Sequence, residues 1–238
     1  MLSLDRQNAL REQYRTDNPE WQPATEVFAA AVRSFLDEDS QVLDVGCGRG
    51  GLVEQLGHPL SQIVGIDPDW LSLTQHRLSL PRCVAFSDGL PLPEASIDVA
   101  YASWVLEHLA SPSADLNELA RVLKPGGVFV FITPNVDHPL VQLNRVFGRM
   151  SIIQQRLVRF LYGRLEDDTF PVAYQANSVV ELRWLAEDAG LALHTLEAVS
   201  DPTYMAFNAV LYRLMCRFEE SLSAEKRLHF VGIMQKPL

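Results

Sequence analysis

Cysteine is scarce in this chain, and the three present, Cys47, Cys83 and Cys216, are too scattered to form a paired set. Such spacing suggests neither a disulfide framework nor a zinc site, so no metal and a reducing, cytoplasmic location are expected. No run reaches the roughly 18 apolar residues that a membrane-crossing helix requires. Asp5, Arg6, Arg11 and Glu12 also interrupt the stretch where a secretory signal would be apolar. Positive charge is short as well: 20 Lys and Arg against 30 Asp and Glu give a formal charge of -10. Phosphate backbones are held by clustered cations, so no nucleic-acid partner is expected. A cationic ligand would be favoured by that field.

What the chain does contain is 47% hydrophobic residues over 238 positions, enough for one well-buried α/β domain with an appended segment. Its apolar runs alternate between strand and helix periods. A helix is expected over Trp21 to Leu36, then strands at Gln41 to Val45 and Gln62 to Ile66, each followed by a helix, from Gly51 and from Asp69 to Leu80. Further strands are expected at Cys83 to Phe86, Ile97 to Tyr101 and Val128 to Thr133, with a helix over Asp115 to Leu123 stopped by Lys124-Pro125-Gly126-Gly127. A helix over Ser178 to Ala189 and strands near Leu191 to Val199 and His229 to Gln235 complete the pattern.

This order predicts a doubly wound, seven-stranded, mostly parallel sheet of Rossmann-like type, its last strand antiparallel. We read 1–238 as a single domain: cap helices in 1–40, a cofactor-binding half in 41–133, an insertion or lid in 134–177, and the rest of the sheet in 178–238, with a helical excursion over 204–220.

The segment Val42-Leu43-Asp44-Val45-Gly46-Cys47-Gly48-Arg49-Gly50-Gly51 reads as strand, glycine turn and helix start. In open parallel sheets ligands sit beyond the carboxyl ends of the strands, where this turn lies. Gly46, Gly48 and Gly51 alone also satisfy a dinucleotide fingerprint. Asp44 separates the readings: an acid two residues before the first glycine opposes a pyrophosphate and complements an ammonium or sulfonium. Asp67 ends the second strand, where a carboxylate accepts from ribose hydroxyls. Asp88 follows the third strand and could accept from an adenine amino group, with Pro68 and Trp70 as walls for the ring.

Taken in order, Leu43 to Gly50, Gly65-Ile66-Asp67, Ser87-Asp88-Gly89-Leu90-Pro91-Leu92-Pro93, Ile97-Asp98-Val99, Val105-Leu106-Glu107-His108-Leu109 and Leu123 to Gly127 resemble a class I S-adenosylmethionine-dependent methyltransferase. They are similar to the small-molecule branch that includes the quinone-biosynthesis enzymes. The resemblance covers roughly residues 38 to 135. It implies that Asp44 and the loop Gly46, Cys47 and Gly48 hold the methionine part, Asp67 the ribose, and Asp88 with the Gly89 amide the adenine. Ser103 and Trp104 would face the sulfonium and the acceptor. Arg49 stands where such loops often have a small residue or Thr.

The resemblance implies transfer of a methyl group from S-adenosyl-L-methionine to an O, N or C atom of a small, apolar or amphiphilic metabolite, leaving S-adenosyl-L-homocysteine. In-line methyl transfer needs alignment and dryness more than a fixed catalytic residue. An acceptor of high pKa needs a base. His138 and His108 are the candidates, beside Glu107, Tyr174 and the run Glu166-Asp167-Asp168. Tyr204, Phe207, Leu211, Leu214, Met215 and Phe218 recur at helical spacing, as an acceptor roof or a face for a membrane surface. Tyr14 and Trp21 are expected to cap the cofactor, and the protein to be a monomer or homodimer. The alternatives are a non-catalytic cofactor-binding scaffold and a nicotinamide-dependent oxidoreductase, the latter disfavoured by Asp44.

Overall fold

The computed structural model describes residues 4–148, 171–204, 206 and 208–238. Their packing divides the chain into two compact units. One comprises Met1–Ala24, Pro134–Pro171 and Ala198–His229; the other comprises Thr25–Thr133, Val172–Glu197 and Phe230–Leu238.

Helices α1 (Leu4–Asp17) and α2 (Ala24–Arg33) precede β1 (Val42–Val45). After β1 come β2 (Ile63–Asp67), α3 (Trp70–Thr74), β3 (Arg82–Val84), β4 (Ile97–Ser103), α4 (Pro112–Val122), β5 (Leu123–Pro134) and α5 (Pro139–Gly148). The chain closes with α6 (Val179–Asp188), β6 (Ala192–Val199), α7 (Ala209–Ser221) and β7 (His229–Gln235). The strands form one seven-stranded sheet in the order β3-β2-β1-β4-β5-β7-β6. β1 to β5 pair in parallel. β7 runs against β5, since Gly126 and Gly127 exchange backbone hydrogen bonds with Lys236 at one end while Asn135 donates to the Leu228 carbonyl at the other. β7 and β6 are likewise antiparallel. The expected doubly wound, Rossmann-like sheet is therefore the observed one.

β1 is buried at all four positions, as a central parallel strand covered on both faces must be. The order turns back between β1 and β4, the switch point at which such sheets bind ligands. The helix expected from Gly51 is only a 3-10 turn, Leu52–Gln55. Gly57, at φ 69°, and Pro59 follow too closely to allow a second α turn. The helix expected to reach Leu80 ends at Thr74. There Arg82 takes over its capping: Nε donates to the Leu73 carbonyl at 2.9 Å, and Nη1 to the Leu78 and Leu80 carbonyls at 3.2 Å. α6 carries a full capping box, with the Ser178 and Glu181 side chains each bonding the other's backbone amide.

Candidate functional site

Asp44 sits one residue from the end of β1, directly across from Tyr101 of β4. Its side chain belongs to a residue only 5% exposed. Burial pushes its carboxyl up from 3.8 to about 7; the neighbouring Tyr101 hydroxyl pulls it back in part, and the Asp67 charge adds to the rise. The Tyr101 hydroxyl is itself buried and makes no hydrogen bond of normal geometry. The Tyr101 hydroxyl is thus left incompletely satisfied beside the buried Asp44 carboxyl.

Asp67, the last residue of β2, accepts from the Gly48 amide through Oδ2 at 2.9 Å and from the Asp69 amide through Oδ1 at 2.8 Å. Burial raises its carboxyl, and these two amides oppose the rise. A carboxylate has about four lone-pair positions, so two remain for hydroxyl groups. The turn between β1 and the 3-10 segment approaches Val105 closely. A Cβ on Gly46 would stand 2.5 Å from Val105 Cγ2, at a φ of 70° that a side chain disfavours.

The Gly46 and Cys47 amides both donate to the Ile66 carbonyl, at 2.8 and 2.9 Å. Those donors hold the turn to β2, and Asp44 and Asp67, when ionised, bring only acceptor oxygens. Cys47 turns its side chain inward: a Cβ on Gly65 would meet its Sγ at 2.7 Å. Burial, then the charges of Asp44 and Asp67, push that thiol up to about 12. Such a thiol is not a nucleophile.

Residues 43–131 match the family model described as a methyltransferase domain. A probable S-adenosylmethionine-dependent methyltransferase of Mycolicibacterium smegmatis is 39% identical over 98 residues, 40% of this chain and 38% of that protein. The ubiquinone biosynthesis O-methyltransferase of Chromobacterium violaceum is 29% identical over 211 residues, 83% of this chain and 86% of its own. Over residues 43–131 the chain is therefore similar to methyltransferase domains. A methyltransferase solved with the Haloferax volcanii Trm112 activator superposes with a TM-score of 0.66, 18% identity, and coverage of 98% of this chain and 97% of that one. The chain spans less than half the length of several curated relatives that it matches, the Mycolicibacterium smegmatis protein among them.

Within this stretch the third acid is set apart from the first two. Asp88 is exposed on a turn after β3, and the Gly89 amide, expected to meet the adenine, donates within that turn to the Phe86 carbonyl at 3.3 Å. Pro68 is exposed, and Trp70 is 68% exposed. The Asp69 carboxyl is held low chiefly by the Ser72 hydroxyl and amide, with the Arg49 charge a lesser influence. Ser103 is half-buried at the end of β4, and Trp104 follows it at φ 59°. Such a backbone angle is uncommon for a bulky residue and occurs often at functional sites.

His108 is half-buried on the 3-10 turn after β4. His138 is fully buried: Nε2 bonds Glu219 Oε1 at 2.8 Å, and Nδ1 accepts from the Leu140 amide at 3.2 Å. With both ring nitrogens engaged, its setting is that of a structural histidine and does not favour the expected role as base. Glu107 lies on the same turn as His108. Its Oε2 accepts from the Thr133 hydroxyl at 3.0 Å, which in turn accepts from the Asn177 side-chain amide at 2.6 Å. The Glu107 carbonyl also accepts from the Ala173 and Tyr174 amides, at 2.7 and 3.1 Å. Glu107 and Tyr174 were candidates from sequence; Thr133, Asn177 and Tyr101 were not. Strand order brings Tyr101 and Thr133 to the site, since β1 and β5 flank β4, and the segment before α6 brings Asn177 to Thr133. Tyr14 and Trp21 pack edge to face at 5.0 Å, in a cluster with Ala206 and Tyr212. Glu166, Asp167, Asp168 and Phe207 lie outside the described residues.

Proposed function

We propose that the protein transfers the methyl group of S-adenosyl-L-methionine to a small acceptor. The observation that carries this reading is the pair of buried acids, Asp44 and Asp67, at the glycine turn of the switch point. Acceptor-only side chains there suit an ammonium and ribose hydroxyls, and would repel the pyrophosphate of a nicotinamide dinucleotide. The residues fit the group: an ionised Asp44 beside the unsatisfied Tyr101 hydroxyl would accept from an ammonium, and Asp67 keeps lone pairs for two hydroxyls.

Asp44 with the Gly46 to Gly48 backbone would hold the methionine part, Asp67 the ribose, and Pro68, Asp88 and Gly89 the adenine. The bound cofactor supplies a methyl group already activated on a sulfonium. The chain's own contribution is alignment: the close approach of Gly46 to Val105 fixes the turn, and Ser103 and Trp104 lie where the acceptor enters. Proton removal, where the acceptor needs it, falls to His108, which stands at the carboxyl end of β4 and, unlike His138, is not fully buried. The acceptor is read as an apolar or amphiphilic metabolite, methylated on O, N or C. Three free thiols fit a cytoplasmic setting.

Calorimetry with S-adenosyl-L-homocysteine tests the reading. Micromolar-range binding that Asp67→Ala weakens at least tenfold is expected; equal binding by that variant, or retention of NADH instead, overturns it. Homocysteine release in a coupled assay across an acceptor panel separates the enzyme from a binding scaffold.

A further inference from the structure

The outer face of α7 finds no partner within the described residues. Tyr212, Met215 and Glu219 point inward and are buried. Val210, Arg213, Leu214 and Arg217 recur at the spacing of the opposite face, and all four are exposed, Val210 at 68% and Leu214 at 55%. Neither Arg213 nor Arg217 joins an ion pair with an acid among the described residues.

The sequence reinforces the asymmetry. Between Asp137 and Glu166 the chain has Arg145, Arg149, Arg156, Arg159 and Arg164 and no acidic residue. Positive charge is thus concentrated along one stretch of the sequence of an otherwise acidic chain.

We propose that this face of α7 docks on an anionic lipid surface, with Val210 and Leu214 entering the headgroup boundary and Arg213 and Arg217 meeting lipid phosphates. Guanidinium groups pair with phosphate oxygens in a forked geometry, and their aliphatic stems can lie along the apolar boundary. An acidic protein surface would offer the arginines a match but leave the two aliphatic residues in water. A neutral bilayer would do the reverse. Only a surface that is both anionic and apolar beneath satisfies all four residues. The proposal does not depend on methyl transfer.

Co-sedimentation of the full chain with vesicles tests it. Binding to phosphatidylglycerol–phosphatidylcholine vesicles is expected at low salt, weakened by added salt, with none to pure phosphatidylcholine. Each arginine near such a surface is worth about five-fold in partitioning. Arg213→Gln and Arg217→Gln together should therefore weaken binding about 25-fold, and Leu214→Ser should weaken it at unchanged charge. Far-ultraviolet circular dichroism and S-adenosyl-L-homocysteine binding confirm that the variants are folded. The proposal is overturned if the protein stays in the supernatant with anionic vesicles. Equal binding to neutral vesicles, an unaffected double variant, or competition by soluble polyglutamate with no effect of Leu214→Ser would overturn it too.

Discussion

With Asp44 as the proposed partner of the cofactor ammonium, cofactor affinity should depend on pH. Its carboxyl is pushed from 3.8 to about 7, chiefly by burial. The folded protein therefore holds a proton there that the unfolded chain has released above pH 4. A raised carboxyl contributes stability that is fully present below the unfolded value and is lost as pH rises through the folded one. For Asp44 that window runs from 3.8 to about 7, and the shift corresponds to about 4 kcal/mol. A ligand ammonium requires the ionised form and must displace the proton. At pH 8 roughly nine-tenths of Asp44 is ionised and at pH 6 roughly one-tenth, so S-adenosyl-L-homocysteine should bind about tenfold more weakly at pH 6. Near pH 7, binding should release about half a proton, which calorimetry in buffers of different ionisation enthalpy reads directly. Asp67 is raised too, so Asp44→Asn provides the control. That variant should bind weakly, release far fewer protons, and resist denaturant better than the parent at pH 8. Constant affinity from pH 6 to 8, with no proton released, would refute the assignment of Asp44 as the ammonium partner.

Gly46→Ala should lower stability by about 1–3 kcal/mol and abolish S-adenosyl-L-homocysteine binding, because the new methyl meets Val105 Cγ2 at 2.5 Å in a left-handed backbone; thermal unfolding and calorimetry measure the two effects. Cys47, with its thiol raised to about 12 and its side chain buried, should resist a thiol reagent at pH 8 until the protein is unfolded; prompt labelling in the native state would count against the inward side chain. Glu219→Ala should cost about 3 kcal/mol and lower Tm by roughly 6–12 °C, since it strands fully buried His138, whereas Glu219→Gln should cost about 1 kcal/mol by keeping a hydrogen-bond partner.

The strands were legible for a physical reason. Central parallel strands are covered on both faces, so Val42 to Val45 and Ile97 to Ala102 appear as short apolar runs whatever lies beside them. Helices were less legible because apolar spacing registers potential, not length. Leu71 and Leu73 begin a helical pattern, yet the Arg82 guanidinium, from the next strand, satisfies the Leu73 carbonyl and lets the helix end. Asp44 and Asp67 could be read from sequence because each follows from its own strand end. Their electrostatics could not, because Tyr101 reaches Asp44 through strand register.

The two histidines show where position along the chain stops being informative. Both follow a strand at the carboxyl edge of the sheet, and sequence gives each an equal claim to face an acceptor. A ring at such an edge can turn toward a cleft or back into packing, and the choice depends on what is brought opposite. For His138 that is Glu219, 81 residues away on α7, with the Phe218 ring edge-on at 5.8 Å. The same strand end carries Thr133, which bonds instead to Glu107 and Asn177. Glu107 is thereby held by side chain and backbone alike, while its neighbour His108 keeps some exposure. A rigid buried carboxyl beside a less buried imidazole is an arrangement that positions a proton acceptor without removing it from solvent, and it shifts the most informative acceptor-side experiment to His108→Asn. Loss of turnover with unchanged S-adenosyl-L-homocysteine binding would place the proton step there; unchanged turnover would leave alignment alone to account for the reaction.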